Sequence, residues 1–145
     1  MPRMPMQCRI ETTAEMEGFA REMAKNLVPG EVLALCGDLG AGKTCFVRGL
    51  MAGLGSPDPV ASPTFPLVHE YPGGRIPVAH FDFYRVESAD ELLALGWDDF
   101  LDRDGIVVVE WANRFPELLP PGTRWLKIER DGDARVVQIH TEPLQ

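Results

Sequence analysis

Val32-Leu33-Ala34-Leu35-Cys36-Gly37-Asp38-Leu39-Gly40-Ala41-Gly42-Lys43-Thr44 is the stretch that decides the fold. Its first five residues are a short continuous apolar run, the pattern of a strand covered on both faces of a parallel sheet. Gly37 to Thr44 then spells G-x-x-x-x-G-K-[ST], and Phe46, Val47, Leu50, Met51 and Leu54 carry on at helical spacing to Gly55. At average residue frequencies a chain of 145 residues matches that motif by accident on the order of one time in two hundred. A buried strand running in and a helix running out make an accident rarer still. Glycines let successive backbone N–H groups converge on phosphate oxygens, and the helix N-terminus adds partial positive charge. In such a loop Lys43 bridges the β- and γ-phosphates, and the Thr44 hydroxyl ligates Mg²⁺. The competing explanation is a strand–turn–helix that merely needs glycines.

Working outward, Thr12 and Thr13 precede Met16, Phe19, Ala20, Met23, Ala24 and Leu27, a helix with a ready N-cap that Pro29-Gly30 stops. Residues 1–7 read as a ragged lead-in to a first strand, with no apolar region of a signal peptide. Ser56 to Pro66 reads as a long loop rich in proline. Leu67 to Tyr71 and Ile76 to Phe83 read as a hairpin across Pro72 to Arg75. Ser88 and Glu91 form a capping-box pattern ahead of Leu92, Leu93 and Leu95. Ile106 to Val109 is a second buried strand, and Trp125 to Ile128 with Arg135 to Ile139 predict a closing hairpin around Asp131-Gly132-Asp133. The expected fold is α/β, a P-loop NTPase-like sandwich of helices around a mixed, centrally parallel sheet, spanning 1–145 as one domain.

Composition narrows the function. No apolar stretch approaches the roughly 20 residues of a membrane span. Fourteen basic against 22 acidic residues leave a net charge of −8. That balance disfavours direct binding to nucleic-acid phosphates, so a role in nucleic-acid chemistry is expected to pass through a partner. Three cysteines, Cys8, Cys36 and Cys45, form no C-x-x-C pair, which suggests reduced thiols in a cytoplasmic protein.

A phosphate loop needs an acid on the metal side at the exit of a neighbouring strand. Ile106-Val107-Val108-Val109-Glu110 and Val78-Ala79-His80-Phe81-Asp82 both offer one. Glu110 fits the metal-side role better, because its strand looks central. Asp82 is then open to sharing the metal shell, positioning the attacking water or acting as general base. His80, two residues before Asp82, shares its face, and a hydrogen-bonded structural role weighs slightly more than a catalytic one. Arg85 stays open between phosphate contact and pairing with the acidic segment that follows. Trp97 and Trp111 read as packing residues. N-K-x-D, the usual guanine reader, is missing from the sequence, as is an obvious arginine-rich lid.

In order, the motifs are Gly37 to Thr44, Ser62-Pro63-Thr64-Phe65, His80-Phe81-Asp82-Phe83-Tyr84-Arg85, Glu91-Leu92 before Leu95-Gly96-Trp97, and Val109-Glu110-Trp111. Together they closely resemble the bacterial TsaE family, formerly YjeE, from about Thr12 to Ile139. The phosphate loop alone would be generic; S-P-T-F and H-F-D-x-Y-R at these spacings make the resemblance specific. It implies a cytoplasmic ATPase of tRNA threonylcarbamoyladenosine biosynthesis that binds ATP with Mg²⁺ and hydrolyses it slowly. It further implies work with TsaD and TsaB, with ATP turnover driving or resetting that complex and tRNA reached only indirectly. By the same resemblance the nucleotide lies on Asp38, Leu39, Gly40, Ala41, Gly42, Lys43, Thr44 and Cys45. Thr64 is the polar contact of a switch-like loop, Mg²⁺ sits on Thr44 and Glu110, and Asp82 is the catalytic carboxylate beside Lys43. Cys45 and Pro66 depart from the family's usual threonines; the second is expected to stiffen its loop. Two other classes compete, a small-molecule kinase and a module that keeps nucleotide only as a structural ligand.

Overall fold

The structure, a computed structural model, describes residues 6–37, 42–57, 59–60 and 67–144. The run Val32–Cys36 is strand β2 once β1, Gln7–Ile10, is counted ahead of it. All five residues of β2 are buried. The same holds for β4, Val78–Asp82, and β5, Ile106–Glu110. Strands covered on both faces belong at the middle of an α/β sheet, and that is where these three lie. With β3 (Val68–Tyr71), β6 (Arg124–Asp131) and β7 (Ala134–His140), they form one seven-stranded sheet in the order β1-β7-β6-β2-β5-β4-β3. The ladders β6–β2, β2–β5 and β5–β4 are parallel, whereas β3, β7 and β1 add antiparallel edges.

Helices cover both faces. On one face α1 (Thr13–Ala24) and α2 (Lys43–Gly53) pack Phe19, Met23, Phe46 and Leu50 against Leu33, Leu35, Val108 and Leu126. On the other, α3 (Ala89–Leu95) and α4 (Trp97–Asp102) bring Leu92, Trp97 and Phe100 onto Ala34, Phe81, Val107 and Val109. Here Phe81 meets Trp97 and Phe100 edge-on, both with ring centroids 5.0 Å away. Parallel strands joined across opposite faces direct β2, β4 and β5 to one edge of the sheet, where ligands of such folds bind. The mixed, centrally parallel α/β sandwich expected from the sequence is therefore present.

Local chemistry explains most boundaries. Thr12 caps α1, its Oγ1 accepting from the Glu15 N–H at 3.1 Å while the Glu15 carboxylate reaches back to the Glu11 N–H. Gly132 at φ 63° supports the two-residue turn between β6 and β7. Several expectations need correcting. Gln7, placed in the lead-in at 1–7, belongs to β1 instead, and the Met6 carbonyl accepts from the Ile139 N–H. The capping box at Ser88 is only half formed, since Glu91 accepts from the Glu87 N–H and the Ser88 side chain makes no cap bond. Gly96, at φ 102°, ends α3 in a left-handed turn and opens α4, which the sequence reading did not separate. The C-terminal hairpin does more than close the sheet, because β6 docks parallel beside β2. Among the described residues no helix is long and apolar enough to cross a membrane.

Candidate functional site

The phosphate-loop motif leads from the end of β2 into α2. Gly42 is the N-cap of α2 at φ 109°, a conformation that favours glycine, and it supplies no side-chain cap. Its carbonyl accepts from the Phe46 N–H at 2.9 Å, so the helix is wound from its first turn. The early N–H groups of such a helix have no intrahelical acceptor, which with the helix dipole suits this end to an anion. Lys43 begins the helix and is only 5% exposed. Its ammonium donates to the Gly37 carbonyl at 2.8 Å and lies 4.0 Å from the centroid of the Trp111 ring.

The carboxylates arrive from the neighbouring strands. In the parallel ladder Asp82 of β4 stands opposite Glu110 of β5, and both are buried. The Asp82 Oδ1 accepts from the Tyr84 N–H at 2.9 Å. Burial pushes Asp82 above the ordinary carboxylate range; the Tyr84 N–H opposes this, Glu110 adds to it, and Lys43 and His80 pull against it. The Glu110 Oε2 meets the His80 Nε2 at 2.7 Å, and that histidine is fully buried. Two buried carboxylates beside one buried lysine form a donor set suited to a hard cation and a phosphate together. Among the described residues no group of three or more histidine, cysteine or acidic side chains could hold a metal by itself. A Mg²⁺ here would take its remaining ligands from nucleotide and water, as this ion usually does.

A family model described as "Threonylcarbamoyl adenosine biosynthesis protein TsaE" matches residues 10–137. The chain belongs to the TsaE family. The tRNA threonylcarbamoyladenosine biosynthesis protein TsaE of Bacillus subtilis (strain 168) is 41% identical over 128 residues, covering 88% of this chain and 80% of that protein. Its counterpart of the same name from Rickettsia prowazekii (strain Madrid E) is 33% identical over 135 residues, covering 92% and 93%. Among solved structures, the crystal structure of Bacillus subtilis YdiB superposes with a TM-score of 0.77 at 35% identity, covering 92% of this chain and 82% of that one.

In this TsaE-family chain the structure gathers Gly42, Lys43, Thr44 and Cys45 at the start of α2, with Lys43 facing the β5 exit through Trp111. Asp38, Leu39, Gly40, Ala41 and Thr64 lie outside the described residues, as does the whole Ser62 to Phe65 segment. Trp97 packs as expected, its indole N–H donating to the Leu118 carbonyl at 3.0 Å. Trp111 does more than pack. It carries Lys43 on its face, touches Tyr84 with ring centroids 4.8 Å apart, and is the one non-glycine residue at positive φ among those described. Arg85 is exposed and, among the described residues, forms no ion pair with the acidic helix that follows. Sequence reasoning missed a cavity of about 230 Å³ beside the start of α2, lined by Ile10, Thr12, Met16, Gly42, Cys45 and Arg135. Three distant segments build it, and no local motif announces such a convergence.

Proposed function

We propose that this chain is a Mg²⁺-dependent ATPase that binds ATP and hydrolyses it slowly. It serves threonylcarbamoyladenosine modification of tRNA as an accessory subunit in the cytoplasm, acting through TsaD and TsaB. The observation that carries the reading is the convergence of Lys43, Asp82 and Glu110 at one sheet edge, at the start of α2. The names of its relatives supply the pathway.

In this reading the N-terminus of α2 and the Lys43 ammonium hold the β- and γ-phosphates, while Asp38 to Ala41 complete the cradle. Thr44 and Glu110 would hold Mg²⁺, which when bound neutralises charge on the phosphates. Asp82 orients the attacking water and takes up its proton. Burial, by raising the proton affinity of Asp82, suits it to that task at neutral pH. In the same reading the rest of the nucleotide would extend past Cys45 toward the adjoining cavity. A net charge of −8 favours reaching tRNA through partners over gripping it directly.

The test is phosphate release from ATP, alone and with purified TsaD and TsaB. Slow turnover that rises when both partners are added supports the proposal. Rapid turnover that ignores them, or failure to associate with them in every nucleotide state, overturns it.

A further inference from the structure

The fully buried His80 is not used by the chemistry above, and its surroundings give it a task. It sits two residues before Asp82 on β4, so both side chains leave the same face of the sheet, the face that α2 covers. In the ladder His80 stands opposite Val108, and Glu110 follows two residues on, so the imidazole lies directly behind the Glu110 carboxylate. The Nε2–Oε2 distance of 2.7 Å marks a strong hydrogen bond to a carboxylate. The other ring nitrogen, Nδ1, has no hydrogen-bond partner among the described residues. An imidazole carrying its proton on Nε2 donates to Glu110 and leaves Nδ1 as a bare lone pair, which is the tautomer this environment selects. The Tyr71 ring, with its centroid 6.2 Å from that of His80, closes one side of the imidazole.

We propose that His80 is a positioning residue: its Nε2–H ties down Oε2 of Glu110 and thereby aims the second carboxylate oxygen at the metal site beside Thr44. The inference rests on the reading of Glu110 as a metal-side ligand. A carboxylate with one oxygen fixed cannot turn away from the cation, so part of the ordering cost is met before the metal arrives. Partners that orient ligating groups in this way typically account for about 10–100-fold in metal affinity. Had His80 served only to satisfy a buried acid, its loss would weaken the fold and every ligand alike.

The experiment is calorimetric titration of ADP into wild type, His80→Leu and His80→Gln, each in excess EDTA and across a Mg²⁺ series, with melting temperatures recorded beside. Leucine fills much of the same space with no donor, whereas glutamine can present its amide N–H near the position of Nε2. The expected result is a Mg²⁺ half-saturation raised about 10–100-fold in His80→Leu. ADP affinity in EDTA stays near wild type, and His80→Gln recovers most of the Mg²⁺ response. A Mg²⁺ response unchanged in His80→Leu, or an equal loss with and without metal, overturns the inference while leaving the metal reading intact. A wild type whose ADP affinity ignores Mg²⁺ overturns both. Should His80→Leu fail to fold, His80→Asn takes its place, since its shorter amide falls short of Glu110; a response equal to that of His80→Gln is then the contrary result.

Discussion

Lys43 is held from two sides, by the Gly37 carbonyl and by the face of Trp111, and the second contact can be weighed. The perturbation is Trp111→Leu. Leucine keeps apolar bulk at the β5 exit, and like tryptophan it must sit at the φ of 58° seen there, so backbone strain largely cancels in the comparison. What is lost is a cation–π contact to the ammonium of a lysine that is only 5% exposed. Such contacts are worth about 1 kcal/mol when wet and about 2 kcal/mol or more when desolvated. The burial of Lys43 places it toward the upper figure, or roughly 10- to 30-fold in affinity. The ring and the Gly37 carbonyl together hold the ammonium at the end of β2, where phosphates would lie, so losing the ring should weaken nucleotide binding. Trp111 also touches Tyr84, so the single variant removes more than one contact. A double-mutant cycle with Lys43→Met isolates the pair. The assay is calorimetric ADP binding to all four proteins, and the expected coupling is about 1–2 kcal/mol. Additivity to within about 0.5 kcal/mol, or tighter binding in Trp111→Leu, would refute the reasoning.

Three further outcomes follow from particular contacts. A Cβ on Gly49 would lie 2.4 Å from the Glu17 carbonyl oxygen and 2.6 Å from its Cα, both backbone of α1. Overpacking of about 1–3 kcal/mol then outweighs the gain of about 1 kcal/mol in helix propensity, and Gly49→Ala should lower the melting temperature by several degrees. Gly18→Ala, on α1 with nothing within 4 Å, should raise it instead; opposite signs would break the account of α1–α2 packing. For Asp82, the raised folded-state pKa means the native protein binds the proton more tightly than the unfolded chain does. The stability penalty is therefore full above the folded pKa and vanishes as pH falls below the unfolded one. Asp82→Asn keeps the acceptor for the Tyr84 N–H, so in EDTA it should melt higher than wild type near pH 8, with the gap closing on acidification. A variant less stable at every pH would contradict this. Burial pushes the Cys36 thiol up to about 11, so a thiol reagent at pH 8 should label Cys8 and Cys45 well before Cys36. Equal labelling rates in the folded protein would be the contrary result.

The legible parts of this fold share one property: they are written in neighbouring residues. Val32–Cys36 announces a covered strand by its unbroken apolar run, Gly42-Lys43-Thr44 opens a helix on a glycine, and Thr12 with Glu15 forms a cap, each readable within a few consecutive residues. Asp82 and Glu110 were legible as strand ends, and their register as direct neighbours is what turns two candidates into one cluster. The sequence understated what depends on distant partners. His80 could be weighed as structural or catalytic, yet its bond to Glu110 spans 30 positions of chain. The Lys43–Trp111 contact and the parallel docking of β6 beside β2 are equally remote in sequence. Ser88 misled in the opposite direction, since the residues of a capping box were present but the serine side chain makes no cap bond.

In the proposed function Lys43, Asp82 and Glu110 form one hydrolytic centre. The measurement that tests it is inorganic phosphate release from ATP by wild type and by Asp82→Asn, with ADP affinity determined on the same samples. The predicted result is slow, Mg²⁺-dependent release by wild type that Asp82→Asn loses while still binding ADP. Release by Asp82→Asn at the wild-type rate, or release by wild type unaffected by EDTA, would contradict it.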